Sequence, residues 1–208
     1  LRMKAAELFV KCLENENVEY IFGIPGEENI DVIDALLDSK IQFVTTHHEQ
    51  GAAFMADVYG RLTGRAGVCM ATLGPGATNL ITGVADANMD RSPMIVLTGQ
   101  GATTRLHKES HQVMDVVAMY EPITKWAQSV HHARNIPEIV RKAVRIAKTE
   151  KPGACLIELP EDIADHDVDA EPIVPHRFRR PVADDKIVDQ AWAAIQAAER
   201  PIILAGNG

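Results

Sequence analysis

Val44-Thr45-Thr46-His47-His48-Glu49-Gln50-Gly51-Ala52-Ala53-Phe54-Met55-Ala56 reads as the end of a buried strand, a short polar turn, and a helix that begins on a carboxylate. β-branched residues lead into the turn, as a pleated strand favours. After Glu49 one face becomes small, with Gly51, Ala52, Ala53 and Ala56. A strand that hands over directly to a helix is half of a strand–helix–strand crossover, the unit of a parallel sheet. Taken alone, Glu49 needs no function: an acid in the first turn of a helix is favourable against the helix dipole.

Outward from this stretch the same alternation repeats. Upstream, Met3 to about Asn15 has helical spacing (Ala6, Leu8, Phe9, Cys12, Leu13), and Val18 to Phe22 is a short apolar strand ending in Gly23-Ile24-Pro25-Gly26. Asn29 can cap a second helix with Ile30, Ile33, Leu36 and Leu37 on one face, and Ile41 to Thr45 is the next strand. Downstream, the Glu49 helix runs to about Thr63, Val68 to Thr72 is a strand, and Gly74-Pro75-Gly76 makes a turn before a small-residue helix from about Asn79 to Asn88. Met94 to Thr98 is a strand stopped by Gly99-Gln100-Gly101. Residues 102–112 are polar and loop-like, Met114 to Tyr120 has one or two helical turns, and Trp126 to Val130 suits a strand. Ile136 to Thr149 is a helix and Ala154 to Leu159 a further strand. Most strands are continuous apolar runs, as in an open parallel sheet with helices on both faces.

After Pro160 the chain turns acidic and Pro-dotted, and residues 166–185 read as a linker between a first domain (1–165) and the start of a second α/β domain (186–208). That second segment offers a helix from Lys186 to Ala198 and a strand at Pro201 to Ala205 that leads into Gly206-Asn207-Gly208. The basic run His176 to Arg180 lies inside the linker and reads as a charged patch on it.

The 208 residues are 46% hydrophobic and carry a net charge of −8, which fits a globular protein and opposes non-specific nucleic-acid binding. Cys12, Cys69 and Cys155 are far apart and form no CxxC pair, so buried structural thiols in a reducing, cytoplasmic setting are expected. No apolar run reaches membrane-span length, so no membrane association is expected.

In a parallel sheet, ligands sit beyond the carboxyl ends of the strands. Four strand ends here carry unusual turns: Ile24-Pro25-Gly26, His48-Glu49, Gly74-Pro75-Gly76 and Gly99-Gln100-Gly101. Phosphate motifs fail: Gly74 to Asn79 begins like G-x-G-x-x-G but ends on Asn, and no G-x-x-x-x-G-K-[ST] loop exists. His107 and His111 are four apart without a well-placed acid, the pairs His47-His48 and His131-His132 do not share a face, and G-x-S-x-G is absent, so no metal site or serine nucleophile is expected. What remains is a glycine rim around one carboxyl, Glu49, with Asn79, Gln100 and Gln112 as polar companions, suited to moving a proton at a ring nitrogen of an organic cofactor.

The motifs Phe22-Gly23-Ile24-Pro25-Gly26, His48-Glu49-Gln50-Gly51-Ala52-Ala53-Phe54-Met55-Ala56, Gly74-Pro75-Gly76-Ala77-Thr78-Asn79-Leu80, Thr98-Gly99-Gln100 and Pro122-Ile123-Thr124-Lys125 resemble, in order, the N-terminal pyrimidine-binding domain of thiamine-diphosphate-dependent enzymes, and within them acetolactate synthases. His111-Gln112-x-Met114-Asp115 is similar to the catabolic, flavin-independent type, so no FAD is expected. His47 stands where the family commonly has Arg. The resemblance implies that Glu49 hydrogen-bonds the aminopyrimidine N1′ and favours the imino tautomer that deprotonates the thiazolium, so that two pyruvates condense to 2-acetolactate with loss of CO₂. It implies that Pro25, Gly26, Thr72, Pro75, Gly76 and Asn79 line the cofactor and that Gln112 reaches toward substrate. The Mg²⁺ and diphosphate of the cofactor are expected on a Gly-Asp-Gly motif of a C-terminal domain, which this sequence lacks. The resemblance further implies a homodimer or tetramer through this domain, and a fragment that neither turns over pyruvate nor binds cofactor tightly by itself. Other readings are a 2-oxo acid decarboxylase, another carboligase, or a non-catalytic nucleotide-binding or dimerisation module.

Overall fold

The computed structural model describes residues 2–175 and 182–206. Two compact units divide the chain, Leu1–Pro175 and His176–Gly208. In the first, β1 (Met3–Lys4) opens the chain, and α1 (Ala5–Asn15), β2 (Tyr20–Gly23), α2 (Ile30–Leu36) and β3 (Gln42–Thr45) follow. Then come α3 (Glu49–Thr63), β4 (Gly67–Ala71), α4 (Gly74–Met89), β5 (Met94–Gln100), α5 (Val116–Tyr120) and β6 (Trp126–Ser129). The unit continues through α6 (Ile136–Lys148), β7 (Ala154–Pro160), α7 (Glu161–Ala164) and β8 (Asp167–Val168). The second unit contains α8 (Asp185–Ala197).

Six strands form one wholly parallel sheet in the order β3-β2-β4-β5-β7-β6. Neighbouring residues on the central strands serve opposite faces. Met70, Leu97 and Ile157 join Phe9, Leu13, Val32, Val140 and Val144 of α1, α2 and α6 in one core. Cys69, Val96 and Leu156 join Ala52, Ala56, Leu80, Val84 and Tyr120 of α3, α4 and α5 in the other. Burial on both sides is why these strands read as unbroken apolar runs. The chain moves from β2 outward to β3, returns through α3 to β4 on the other side of β2, and continues to β5. The strand order therefore reverses between β2 and β4, which places a crevice at their carboxyl ends.

Local chemistry explains the helix limits. α3 starts where His48 Nδ1 accepts from the Gln50 N–H at 3.1 Å, and it stops at Gly64, whose φ of +67° suits a left-handed end. α6 has Pro137 in its first turn, where a fixed φ and a missing N–H cost nothing, and its Glu138 in the first turn and Arg145 and Lys148 in the last are favourable to the helix dipole. Lys125 closes that helix, its Nζ donating to the carbonyls of Ile146 (2.5 Å) and Thr149 (2.7 Å).

Several sequence expectations are corrected. α4 begins at Gly74, five residues before Asn79, because Pro75 is compatible with a first helical turn. β5 runs through Gly99 and Gln100, paired residue by residue with Leu159 and Pro160, so no turn interrupts it. Asn29 leads α2 without capping it; its side chain reaches back to the turn, accepting from Gly26 N–H at 2.9 Å and donating to Ile24 O at 3.3 Å. Ile30 and Leu37 point outward while Val32 and Leu36 are buried. Met3 and Lys4 are strand, paired with Val168 and Asp167 from the stretch read as linker, and Lys4 adds an ion pair to Asp165 at 2.7 Å. In the second unit the helix expected from Lys186 is present, but Pro201 to Ala205 forms no strand. A strand is defined by a ladder partner, and among the described residues none pairs with it. The basic run His176 to Arg180, and Asn207-Gly208 of the closing turn, lie outside the described residues.

Candidate active site

The small face of α3 sets the site. A Cβ on Gly83 of α4 would stand 2.6 Å from Ala53 Cβ of α3, so only glycine lets the two helices approach this closely. Their amino ends then lie side by side at the β2/β4 crevice. There Glu49 Oε2 accepts a hydrogen bond from Asn79 Nδ2 at 3.0 Å. The other carboxylate oxygen, Oε1, stands 3.4 Å from where a Gly76 Cβ would be. Thr72, just past β4, is wedged between two missing side chains: its Cγ2 is 2.2 Å from a Cβ built on Gly26 and its Oγ1 is 2.7 Å from one built on Gly76. Pro25 and Pro75 are exposed beside these glycines. Gly26, Glu49, Thr72, Gly76 and Asn79 thus meet at one point, though they come from three different strand ends.

Gln112 arrives from elsewhere. It lies on the loop between β5 and α5, exposed, with φ +56°, and its carbonyl oxygen is 2.5 Å from where a Gly74 Cβ would be. Gly74 itself has φ +49° and starts α4, so both its backbone and its lack of a side chain admit the loop. The Gln112 segment therefore borders the start of α4, about one turn before Asn79.

Gln100 is not a companion of Glu49. It is buried and donates from Nε2 to Glu158 Oε2 at 2.9 Å. Nor is Glu49 the only rim carboxyl: Glu158 of β7 sits at the same sheet edge, 5% exposed. Burial pushes the Glu158 carboxyl above the usual carboxylate range; hydrogen bonds from Ser129 and Gln100 oppose the rise and the charge of Asp115 adds to it. The sequence hid Glu158 because it stands inside the apolar run Ala154 to Leu159; a lone acid in a fully buried strand was the available signal. His48 caps α3 through its ring nitrogen, a role with little sequence signal because histidine is not among the residues that favour this position.

Residues 3–119 match the N-terminal TPP binding domain of thiamine pyrophosphate enzymes. This chain belongs to the thiamine pyrophosphate enzymes. It is 43% identical to a probable acetolactate synthase large subunit of Methanocaldococcus jannaschii over 213 residues, which takes in 99% of this chain and 36% of that protein. It is 42% identical over 202 residues to a catabolic acetolactate synthase of Raoultella terrigena (97% and 36%) and 40% identical over 208 residues to the acetolactate synthase of Bacillus subtilis (99% and 36%). The chain thus spans about a third of the length of these curated relatives.

For a thiamine pyrophosphate enzyme, the β2/β4 crevice offers what a flat heteroaromatic ring needs. Thr72 takes up the room that side chains at positions 26 and 76 would need, and Asn79 orients one carboxylate beside it. These residues fit the ring part of the cofactor. Among the described residues no group of three or more His, Cys, Asp or Glu is placed to hold a metal ion, and no helix is long and apolar enough to cross a membrane.

Proposed function

We propose that this chain is the pyrimidine-binding portion of a thiamine-diphosphate-dependent acetolactate synthase, which joins two pyruvates with loss of CO₂. The observation that carries the reading is the Glu49 carboxylate, oriented by Asn79 beside Gly76 at the β2/β4 crevice, in a chain about 40% identical to acetolactate synthases. When bound, thiamine diphosphate supplies the acidic carbon and the electron sink for the reaction. The chain's own residues bind, orient and move a proton. Asn79 engages Oε2 and leaves Oε1 to hold or release a proton at a ring nitrogen. Gly26, Gly76 and Thr72 shape the ring's seat, Pro25 and Pro75 stiffen its edges, and Gln112 faces the 2-oxo acid. The Mg²⁺ and diphosphate belong to another domain in this reading, no FAD takes part, and the protein works in the cytoplasm. The isolated chain then makes no acetolactate and binds the cofactor weakly.

The partner in this reading is a second copy of the chain. Gly51, Met55, Val58 and Leu62 form an exposed stripe along α3 at helical spacing, with Leu62 80% exposed. The stripe begins beside Glu49, so a copy seated on it walls the open side of the crevice.

The test is Glu49→Gln in the full-length enzyme. Acetolactate formation from pyruvate is expected to fall about 10²–10⁴-fold, the range for a lost acid–base group. Unchanged turnover sinks the proton role. An aldehyde as the wild-type product shifts the reading to a 2-oxo acid decarboxylase.

A further inference from the structure

One side chain holds the Gln112 loop at both ends. Gln100 closes β5 and is 2% exposed. Its Oε1 accepts from the Gly101 N–H at 3.0 Å, and its Nε2 donates to Met114 O at 3.0 Å and to Glu158 Oε2 at 2.9 Å. The amide therefore bridges the first residue of the 101–114 loop to the last. Glu158 aims it through that 2.9 Å bond. The entry to the loop is tied separately to the first turn of α7. Ala102 N–H donates to Glu161 Oε1 at 3.0 Å, Arg105 Nη1 to the same oxygen at 2.8 Å, and Thr103 N–H to Asp162 Oδ1 at 2.9 Å.

The loop needs such ties. His107, Glu109 and Gln112 all have left-handed backbone (φ +63°, +47° and +56°), which is disfavoured for side chains other than glycine and persists only where the surroundings enforce it. The loop borders an open pocket of about 460 Å³, lined by Leu106, Val113, Val117, Ser129, His131 and Glu158 among others.

We propose that Gln100 and Glu158 are positioning residues: the Glu158–Gln100–Met114 bridge fixes the 101–114 loop and thereby sets Gln112 against the start of α4. The bridge follows from the geometry alone; only what Gln112 meets there rests on the thiamine-diphosphate reading.

The experiment uses the full-length enzyme and its variants Gln100→Ala, Glu158→Ala and Glu158→Gln. Hydrogen exchange reads the loop directly. Gln100→Ala and Glu158→Ala are expected to speed exchange at 102–114 by about 10-fold or more, with other amides within about 2-fold. Glu158→Gln keeps an oxygen that accepts from Gln100, so it retains wild-type protection. In steady-state kinetics Gln100→Ala raises KM for pyruvate about 10-fold, while half-saturation by thiamine diphosphate stays within about 2-fold, because Glu49, Thr72 and Asn79 lie on other elements. Gln100→Met keeps the volume without the hydrogen bonds and gives the same readouts if the alanine variant fails to fold. Unchanged exchange overturns the bridge. Faster exchange with unchanged KM overturns the positioning role. A wild-type enzyme inert toward 2-oxo acids overturns the functional reading instead, and exchange then decides the bridge by itself.

Discussion

Gly76→Ala adds one methyl group at the most crowded point of the crevice. Its carbon would lie 2.7 Å from Thr72 Oγ1, 3.4 Å from Glu49 Oε1 and 3.6 Å from Ala71 Cβ. A relaxed carbon–oxygen contact is about 3.3 Å or longer, so Thr72 must yield by about 0.6 Å. It has little room, because its Cγ2 already fills the space over Gly26. Overpacking of this kind destabilises by about 1–3 kcal/mol. Alanine in place of glycine inside a helix returns up to about 1 kcal/mol. The net loss is then about 0–3 kcal/mol, too small to unfold a domain of ordinary stability. Function suffers more. The strain that Thr72 cannot absorb reaches Glu49, and displacements near 1 Å lower rates about 100-fold. In the full-length enzyme we expect kcat to drop about 10–100-fold while the urea midpoint moves by no more than about 1 M. Gly60→Ala is the control. Its Cβ would meet Pro93 O at 2.4 Å, at the far end of α3, so it should lose stability without loss of turnover per folded molecule. Thr72→Ala in the Gly76→Ala background should recover about 1 kcal/mol, because the clashing hydroxyl is gone. Wild-type kcat in Gly76→Ala, or a loss no greater than in Gly60→Ala, refutes this account of the site.

Glu158→Gln should change how stability depends on pH. The folded carboxyl lies above its unfolded value, near 4.5, so the folded chain holds a proton that the unfolded chain has released. Stability from this group is complete below 4.5 and is lost as pH rises through the raised folded value. The variant lacks that decline, so its advantage in urea unfolding should grow with pH from 4.5 upward; a constant difference contradicts the assignment. All three thiols are pushed up to about 12, chiefly by burial. At pH 8 an aromatic disulfide reagent should therefore label none of them in the native chain and all of them in denaturant, and a fast native phase would count against their burial. Val58→Glu puts a charge in the α3 stripe, and light scattering of the full-length enzyme should show a shift toward monomer; an unchanged assembly places the contact elsewhere.

Much of the fold was legible because hydrophobic pattern is local. Strand runs such as Val68 to Ala71 and Met94 to Leu97 are apolar at successive positions, and only a sheet covered on both faces buries them all. Helix limits failed where local signals were ambiguous. Gly74-Pro75-Gly76 suits a turn and equally the first turn of a helix, and Gly99-Gln100 suits a turn until a partner strand extends the ladder. Pro201 to Ala205 shows the converse: an apolar run is only a candidate strand until something pairs with it.

The chain by itself determined the layered parallel sheet, the glycine-marked strand ends and the residues worth watching, because backbone geometry and burial leave a periodic record in the neighbouring residues. Only the tertiary structure decided who meets whom. The order β3-β2-β4 brings Gly26 and Gly76 to either side of Thr72, and close approach at Gly83 and Ala53 lets Asn79 reach Glu49 across 30 residues. Pairing of β5 with β7 takes Gln100 away from Glu49 and gives it to Glu158, 58 residues on. Periodicity along a chain is blind to strand order, and in this protein strand order separates Glu49, paired with Asn79, from Glu158, paired with Gln100.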